Sequence, residues 1–128
     1  MISDKTARDI LKIYENAWVD QDIDKILSIF AKDATYHEWV LRDQPFKGHQ
    51  EIAQYWKSKV CDEQSKIEFK LLNYYISGDT LIAEWDAFFN SNVENVRFHI
   101  REVAIMKVVN GLIKSLREYW HFENVPLK

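Results

Sequence analysis

The 128-residue chain is long enough for one domain, which should bury about two thirds of the surface that the unfolded chain exposes. A composition of 47% hydrophobic and 29% charged residues, with three Gly and two Pro, excludes disorder, collagen-like repeats and low complexity. The formal net charge is -3 and the basic residues are dispersed among acids, so no nucleic-acid partner is expected.

Cysteine usage and the N-terminal sequence indicate the compartment in which the protein works. A single cysteine, Cys61, cannot close an intrachain disulfide and has no second thiol for a zinc or redox motif, which favours a reducing environment. The N-terminal stretch is charged from Asp4 onward and contains no apolar run typical of a signal peptide or a membrane span. We therefore expect a cytoplasmic protein with no membrane partner.

Two amphipathic helices are predicted at the start of the chain. Between Asp4 and Val19, apolar residues recur at helical spacing and form one stripe. The members of this stripe are Ala7, Ile10, Leu11, Tyr14, Ala17 and Trp18. A second, shorter helix is predicted from the N-cap residue Asp22 to Phe30.

A strand and a third helix are predicted next. The segment from Asp33 to Val40 alternates in the manner of a strand, with Tyr36 and Glu38 on one face. Residues 43–45, Asp-Gln-Pro, are typical of a turn, and a third helix is predicted from Gly48 to Val60.

The rest of the chain has the pattern of four strands. They are predicted at Ser65–Ile76, Thr80–Phe89, Val96–Val109 and Leu112–Phe122. Ser77-Gly78-Asp79 and Asn110-Gly111 separate them as turns, and Asn-Gly is a strong hairpin signal. Helices followed by an antiparallel meander predict an α+β fold with the helices packed on one face of a twisted sheet.

Strand alternation predicts which side chains face the helices. On the strand after Val96 the inward set is Phe98, Ile100, Glu102, Ala104 and Met106. On the last strand the favoured inward set is Leu112, Lys114, Leu116, Glu118, Trp120 and Phe122. On the strand from Thr80 both alternate rows are plausible, and residue type slightly favours the row that contains Trp85.

These elements and several short motifs resemble the SnoaL-like branch of the nuclear transport factor 2-like superfamily over almost the whole chain. The motifs are Asp33-Ala34-Thr35, Gly48 before the third helix, and Gly111-Leu-Ile followed by Tyr119-Trp120. The resemblance implies a single domain, residues 1–128, with a cystatin-like curved antiparallel sheet wrapped around three N-terminal helices. Such a domain is a cone with an internal pocket.

Within that superfamily the nearest pattern is ketosteroid isomerase, and the stretch from Tyr14 to Glu38 is similar to it without a gap. The resemblance implies that Tyr14 stabilises an oxyanion, that Glu38 is a general base and that Trp120 lines the pocket. The segment Val19-Asp20-Gln21-Asp22-Ile23 is similar to the linker between the first two helices of the family.

The departures from the isomerase are also informative. Its second oxyanion donor, a protonated aspartate, corresponds here to Ala104 or Val103. Two tyrosines that support its catalytic tyrosine correspond to Phe30 and Trp56. These differences argue against steroid isomerisation but leave other proton-transfer chemistry open.

Four residues are candidates for catalysis: Glu38, Tyr14, Glu118 and Glu102. A carboxylate desolvated in an apolar cone becomes a better base near neutral pH, and a phenol can donate a hydrogen bond to a carbonyl or enolate oxygen. Two acids in one apolar site push their titrations apart, which suits a hydratase, cyclase or epoxide-opening reaction. Structural alternatives remain open: Glu38 can pair with Arg42, and the other two acids with arginines such as Arg101 or Arg117.

Apolar and aromatic side chains are candidates for the pocket wall, although such residues also build ordinary cores. They are Trp18, Phe30, Tyr36, Phe46, Tyr55, Trp56, Phe98, Ile100, Met106, Leu116 and Trp120. The histidines, His37, His49, His99 and His121, lack metal-ligand spacing and are interpreted as surface or dimer-interface residues. No metal site is expected, and no phosphate loop, nucleophile elbow or dinucleotide motif points to a cofactor.

Two functions are compatible with the sequence. The first is an isomerase, lyase (dehydratase) or cyclase that acts on a small, mostly apolar carbonyl compound or epoxide. The second is a non-catalytic module that holds a hydrophobic ligand or forms a homodimer through the outer sheet face, near Arg97, His99 and Arg101. Because the superfamily includes both classes, the resemblance does not decide between them.

Overall fold

The structure is a computed structural model that describes residues 1–42 and 44–128. The helices are α1 (Asp4–Asp20), α2 (Ile23–Leu27) and α3 (Gly48–Trp56), the last continued by a π-helical segment (Lys57–Cys61). The strands are β1 (Phe30–His37), β2 (Phe46–Lys47), β3 (Gln64–Ser77), β4 (Thr80–Ser91), β5 (Arg97–Val109) and β6 (Leu112–Val125). Among these residues no helix is long and apolar enough to cross a membrane.

Helix α1 begins and ends at well-formed caps. The side chain of Ser3 accepts a hydrogen bond from the Thr6 N–H at 3.0 Å, which satisfies a free donor of the first turn. Gln21 ends the helix in the left-handed conformation, and its side-chain amide donates to the carbonyls of Val60 and Gln64 at 2.7 and 2.8 Å. These bonds fix the end of α1 to the π-helical segment and to β3.

The sheet has six strands in the order β2-β1-β6-β5-β4-β3. The meander from β3 to β6 is antiparallel, as predicted, but β1 lies parallel to β6, so the sheet is not antiparallel throughout. The curved sheet packs against the helices as an open cone, and the α+β prediction is confirmed.

The predicted boundaries around β1 were wrong by several residues. The second helix ends at Leu27, not Phe30, and β1 covers Phe30–His37 instead of Asp33–Val40. The backbone N–H of Ile113 donates to the carbonyl of Ile29 at 2.8 Å, and Phe30 pairs with Ile113. A tertiary strand pairing therefore overrides the local helical periodicity. Glu38 consequently follows the strand instead of ending it.

The inner face follows the predicted alternation on β4 and β5. Ala104 and Met106 are fully buried on β5, and on β4 the row with Trp85 faces the helices. On β6 the prediction fails at the start, because the pairing with β5 shifts register after Lys107. Ile113 is therefore buried where Leu112 was expected to be, and Leu112 is exposed.

The segment between β1 and β4 differs from the predictions in three details. Strand β2, which pairs with β1, had no predicted counterpart. The third helix leaves α-helical geometry after Trp56, so that Val60 lies in the π-helical segment. Of the predicted turn, Gln44 and Pro45 precede β2, whereas Asp43 lies outside the described residues.

Candidate functional site

A pocket of about 790 Å³ opens between the inner face of the sheet, α1 and α3. All four candidate catalytic residues line it, together with eight of the predicted wall residues. Those eight are Trp18, Tyr36, Phe46, Tyr55, Trp56, Phe98, Ile100 and Trp120. The other three, Phe30, Met106 and Leu116, lie in the packed core instead and do not line the pocket.

A pair of buried carboxyl groups stands on the sheet side of the pocket. Glu118 on β6 lies opposite Ala104 on β5, so Glu118 and Glu102 are diagonal neighbours on one face. Glu118 is only 7% exposed and Glu102 only 3%. Burial raises the pKa of Glu102 well above its usual value, and the adjacent Glu118 raises that pKa further. The two carboxyls therefore titrate as a coupled pair, above the ordinary glutamate range.

Neighbouring donors favour the charged form of Glu118. Burial raises the pKa of Glu118, whereas hydrogen bonds from Glu102 and Tyr36 act in the opposite direction. Glu102 is therefore the more readily protonated member of the pair. One oxygen of each, Glu102 Oε2 and Glu118 Oε1, is buried without a hydrogen-bond partner among the described residues.

Two phenols connect α1 to the carboxyl pair. The hydroxyls of Tyr14 and Tyr36 lie 3.4 Å apart, and both residues are almost completely buried. Burial raises the pKa of both phenols well above the usual value, and the charge of Glu118 adds to the shift. Both phenols therefore stay neutral and able to donate a hydrogen bond at any physiological pH.

Glu38 lies nearer the mouth of the pocket and is held by Arg42. Arg42 Nη2 forms an ion pair with Glu38 Oε1 at 2.5 Å. The Glu38 side chain is 14% exposed, and its backbone carbonyl accepts a hydrogen bond from the Trp120 indole at 3.0 Å. The arginine also stands over the ring of Phe46, 4.9 Å from its centre. The carboxylate is thus fixed in position beside a cation.

Sequence reasoning identified the acids but missed part of their surroundings. It assigned Tyr36 to the pocket wall and did not foresee its contact with Tyr14, because the family pattern placed supporting phenols at Phe30 and Trp56. It also missed the polar rim formed by α3 and the π-helical segment, for example Glu51 and Lys59. Exposed polar residues carry no periodic signal, so only the tertiary fold reveals them.

The histidines do not line this pocket. His49 contacts the carbonyl of Phe30 at 2.8 Å, and His99 bridges Asp86 and Glu123 on the outer face at 3.1 and 2.9 Å. His37 is partly buried and His121 is exposed. No group of three or more candidate metal ligands occurs within residues 1–42 and 44–128.

Solved structures with this fold come from several proteins. A putative isomerase from Bacillus subtilis aligns with a TM-score of 0.81 at 16% identity, over 94% of this chain and 90% of that one. The epoxide hydrolase/cyclase-like enzyme SalBIII, which has a role in pyran ring formation in the polyether salinomycin, aligns with a TM-score of 0.79 at 20% identity. The alignment covers 94% of this chain and 95% of that one. A ketosteroid isomerase-like protein from Catenulispora acidiphila, in complex with trimethylamine, aligns with a TM-score of 0.75 at 18% identity, over 86% and 83%.

The fold is that of ketosteroid isomerase-like and nuclear transport factor 2-like proteins. Residues 10–116 match the SnoaL-like domain family, and the chain belongs to that family. Curated proteins give no significant match. The predicted superfamily is therefore confirmed, whereas identities at or below 20% among these structures carry the fold and not the activity.

Proposed function

We propose that this protein is an acid–base enzyme, an isomerase, lyase or cyclase, that acts on a small, mostly apolar carbonyl compound or epoxide. One observation carries the proposal: a carboxylate paired with an arginine and two buried, neighbouring carboxyls line the same pocket, together with several aromatic side chains. Pairs of titratable groups with different environments are typical of acid and base roles in one site.

Glu38 is the proposed base. Its carboxylate lies beside Arg42 near the pocket mouth, where it can take a proton from carbon next to a carbonyl or activate an attacking hydroxyl. The ion pair orients the carboxylate before substrate arrives.

Tyr14 is the proposed donor to the oxygen that gains charge. Because its phenol is neutral, it can donate a hydrogen bond to an enolate or an opening epoxide. The Trp56 indole N–H, buried and without a partner among the described residues, is a further donor in the pocket wall. The hydroxyl protons of Tyr36 and Glu102 are already donated to Glu118 and are not assigned this role.

Two structural relatives support this reaction class. One is described as a putative isomerase and another as an epoxide hydrolase/cyclase-like enzyme. Both of those reactions move protons at carbon or oxygen. The proposal therefore draws on the pocket groups first and on the relatives second.

The test follows exchange of carbon-bound protons. Wild-type protein should accelerate deuterium exchange next to the carbonyl in at least one member of a panel of cyclic ketones, followed by NMR. Glu38→Gln should slow that exchange by about 10²- to 10⁴-fold. Glu51→Gln, which changes an exposed acid of the same rim, should stay close to wild type. Equal rates in the wild type and Glu38→Gln would contradict the proposal and leave a non-catalytic ligand-binding module.

We further propose that a second copy binds the outer sheet face. The basic residues first considered there are engaged within the chain: Arg97 contacts the Lys66 carbonyl at 2.8 Å, and Arg101 pairs with Asp86. Beside them Tyr119, 45% exposed, lies opposite the partly buried Val103. This apolar patch suits a symmetric contact between identical surfaces better than the paired charges do.

A further inference from the structure

The pocket lining has an excess of negative charge. Its described residues include six glutamates but only one arginine and one lysine. Both basic side chains are already paired with acids, Arg42 with Glu38 at 2.5 Å and Lys59 with Glu63 at 3.3 Å. An entering cation would therefore meet a field that the chain itself has not neutralised.

The deepest acids are the least compensated. Glu102 and Glu118 are more than nine-tenths buried, and each has an oxygen without a hydrogen-bond partner among the described residues. The charged groups that act on this pair are other acids, namely one another and, for Glu118, Glu38. A buried carboxylate without a partner is costly, so a bound cation would stabilise it.

Aromatic rings, whose faces attract cations, make up much of the rest of the wall. Trp18 from α1, Tyr55 and Trp56 from α3, and Phe98 and Trp120 from the sheet line the pocket. At the mouth this chemistry already operates, since the Arg42 guanidinium stands 4.9 Å from the centre of the Phe46 ring. An alkylated ammonium group suits such a wall because its methyl groups favour apolar contact while its charge favours the ring faces.

We infer that the ligand of this pocket carries an alkylated ammonium group, which binds between the aromatic wall and the Glu102–Glu118 pair. The inference rests on the proposed function, because it takes the ammonium compound to be the substrate of that site. Binding of the cation and turnover are nevertheless separate measurements. The carbonyl or epoxide of that substrate would then lie toward Glu38.

Three probes of one shape but different charge test the inference. They are choline, its neutral isostere 3,3-dimethylbutan-1-ol, in which carbon replaces the ammonium nitrogen, and the 3,3-dimethylbutanoate anion. Binding to the full chain is measured by isothermal titration calorimetry and by tryptophan fluorescence. Choline should bind at least about tenfold more tightly than the neutral isostere, and the anion more weakly than either. Equal affinities, tighter binding of the isostere, or no binding of choline would overturn the inference.

Matched variants identify the group that recognises the cation. Glu118→Gln should remove most of the preference for choline over its isostere, and Glu102→Gln offers a second variant if the first fails to fold by circular dichroism. Glu94→Gln removes the same formal charge from the exposed rim and should keep the preference. Retention of the full preference in both folded pair variants would overturn the assignment. If Glu38→Gln leaves proton exchange unchanged while choline still binds selectively, the proposed reaction fails and the cation site stands.

Discussion

At the scale of single residues, the Glu102–Glu118 pair works against the folded state at neutral pH. The folded state keeps a proton on Glu102 that an unfolded chain would release, because burial and Glu118 raise the pKa of Glu102. The free energy of unfolding therefore falls as pH rises from the ordinary glutamate range toward the raised pKa. Such a cost is typical of functional groups that folding alone would not select.

Replacing Glu102 by leucine should remove this cost. We expect Glu102→Leu to raise the free energy of unfolding by about 1–3 kcal/mol at neutral pH, and to reduce its decline as pH rises above the ordinary glutamate range. Urea unfolding at several pH values measures both effects. Glu84→Leu, at a half-buried acid on the outer face, is the control and should not reproduce the pH dependence. A less stable Glu102→Leu variant at pH 8 would show that the acid is a structural residue.

Asp86 on the outer face has the opposite effect on stability. Its two oxygens accept hydrogen bonds from Arg101 at 2.7 and 2.9 Å, and His99 lies 3.1 Å away. Arg101 first, and then His99, lowers the pKa of Asp86 to about 2 against the burial that would raise it. The contribution is present above the ordinary aspartate pKa of 3.8 and is lost as pH falls toward 2.

Asp86→Asn should therefore destabilise the protein by about 1–2 kcal/mol at neutral pH, since Arg101 is partly exposed and solvent screens the pair. Denaturant unfolding measures the change. Asp33→Asn is the control, because Asp33 pairs with Lys114 but its side chain is 74% exposed, against 12% for Asp86. Little change in Asp86→Asn would show that screening cancels the pair.

His99 adds a second pH dependence with its own direction. Glu123 and then Asp86 raise the pKa of His99 against partial burial. The stabilisation is complete below the ordinary histidine pKa of 6.5 and is lost as pH rises through the raised value. The contribution of the His99 contacts to the free energy of unfolding should therefore be largest in mildly acidic solution.

At the scale of elements, the junction between β2 and α3 depends on a glycine. Gly48 has φ of +76°, and an added Cβ would lie 3.3 Å from the carbonyl oxygen of Lys32. Gly78 also has positive φ, +60°, but an added Cβ there would meet nothing within 4 Å. A side chain at either position would be strained by the positive φ, but only at position 48 would its Cβ contact a neighbouring atom, the Lys32 oxygen.

Gly78→Ala should cost about 1 kcal/mol from backbone conformation alone, and Gly48→Ala more. The difference in midpoint of urea unfolding measures the contact with Lys32. Because Tyr55 and Trp56 lie on the same helix, Gly48→Ala should also weaken ligand binding. Equal destabilisation in the two variants would show that Lys32 moves aside freely.

Local signals predicted the elements that depend mainly on their own residues. The stripe from Ala7 to Trp18 predicted α1, and the Asn-Gly turn predicted the last hairpin, because helices and turns depend mainly on a few neighbouring residues. The end of α2, the register shift between β5 and β6 and the π-helical segment were missed. The first two depend on pairing between distant strands, as the bond between Ile113 and Ile29 illustrates. The π-helical segment is bonded to the distant Gln21 side chain.

At the scale of the whole molecule, association through the outer face is testable in solution. Tyr119→Lys places a charge in the centre of the apolar patch and should convert dimer to monomer in light scattering, with helix and strand content unchanged. Tyr75→Lys, at an exposed tyrosine of β3, should leave the molar mass unaltered. A monomeric wild type would contradict the proposed interface.

The individual residues of the site were predicted better than the contacts between them. Glu38 and Tyr14 were selected from an ungapped resemblance, and Glu102 and Glu118 from strand alternation, and all four line one pocket. Their mutual contacts could not be predicted, because which tyrosine reaches Tyr14 depends on how α1 crosses the sheet. Their roles remain proposals.

The parallel pairing of β1 with β6 has a consequence for biosynthesis. The Trp120 indole bonds to the carbonyl of Glu38 across 82 positions of chain, so the wall that holds this acid closes only after the C-terminal strand has left the ribosome. Closing so long a loop costs entropy before any contact repays it, which slows folding. Until then the nascent β1 exposes an unpaired edge to other chains, and a chain truncated within β6 should aggregate instead of folding to a less stable protein.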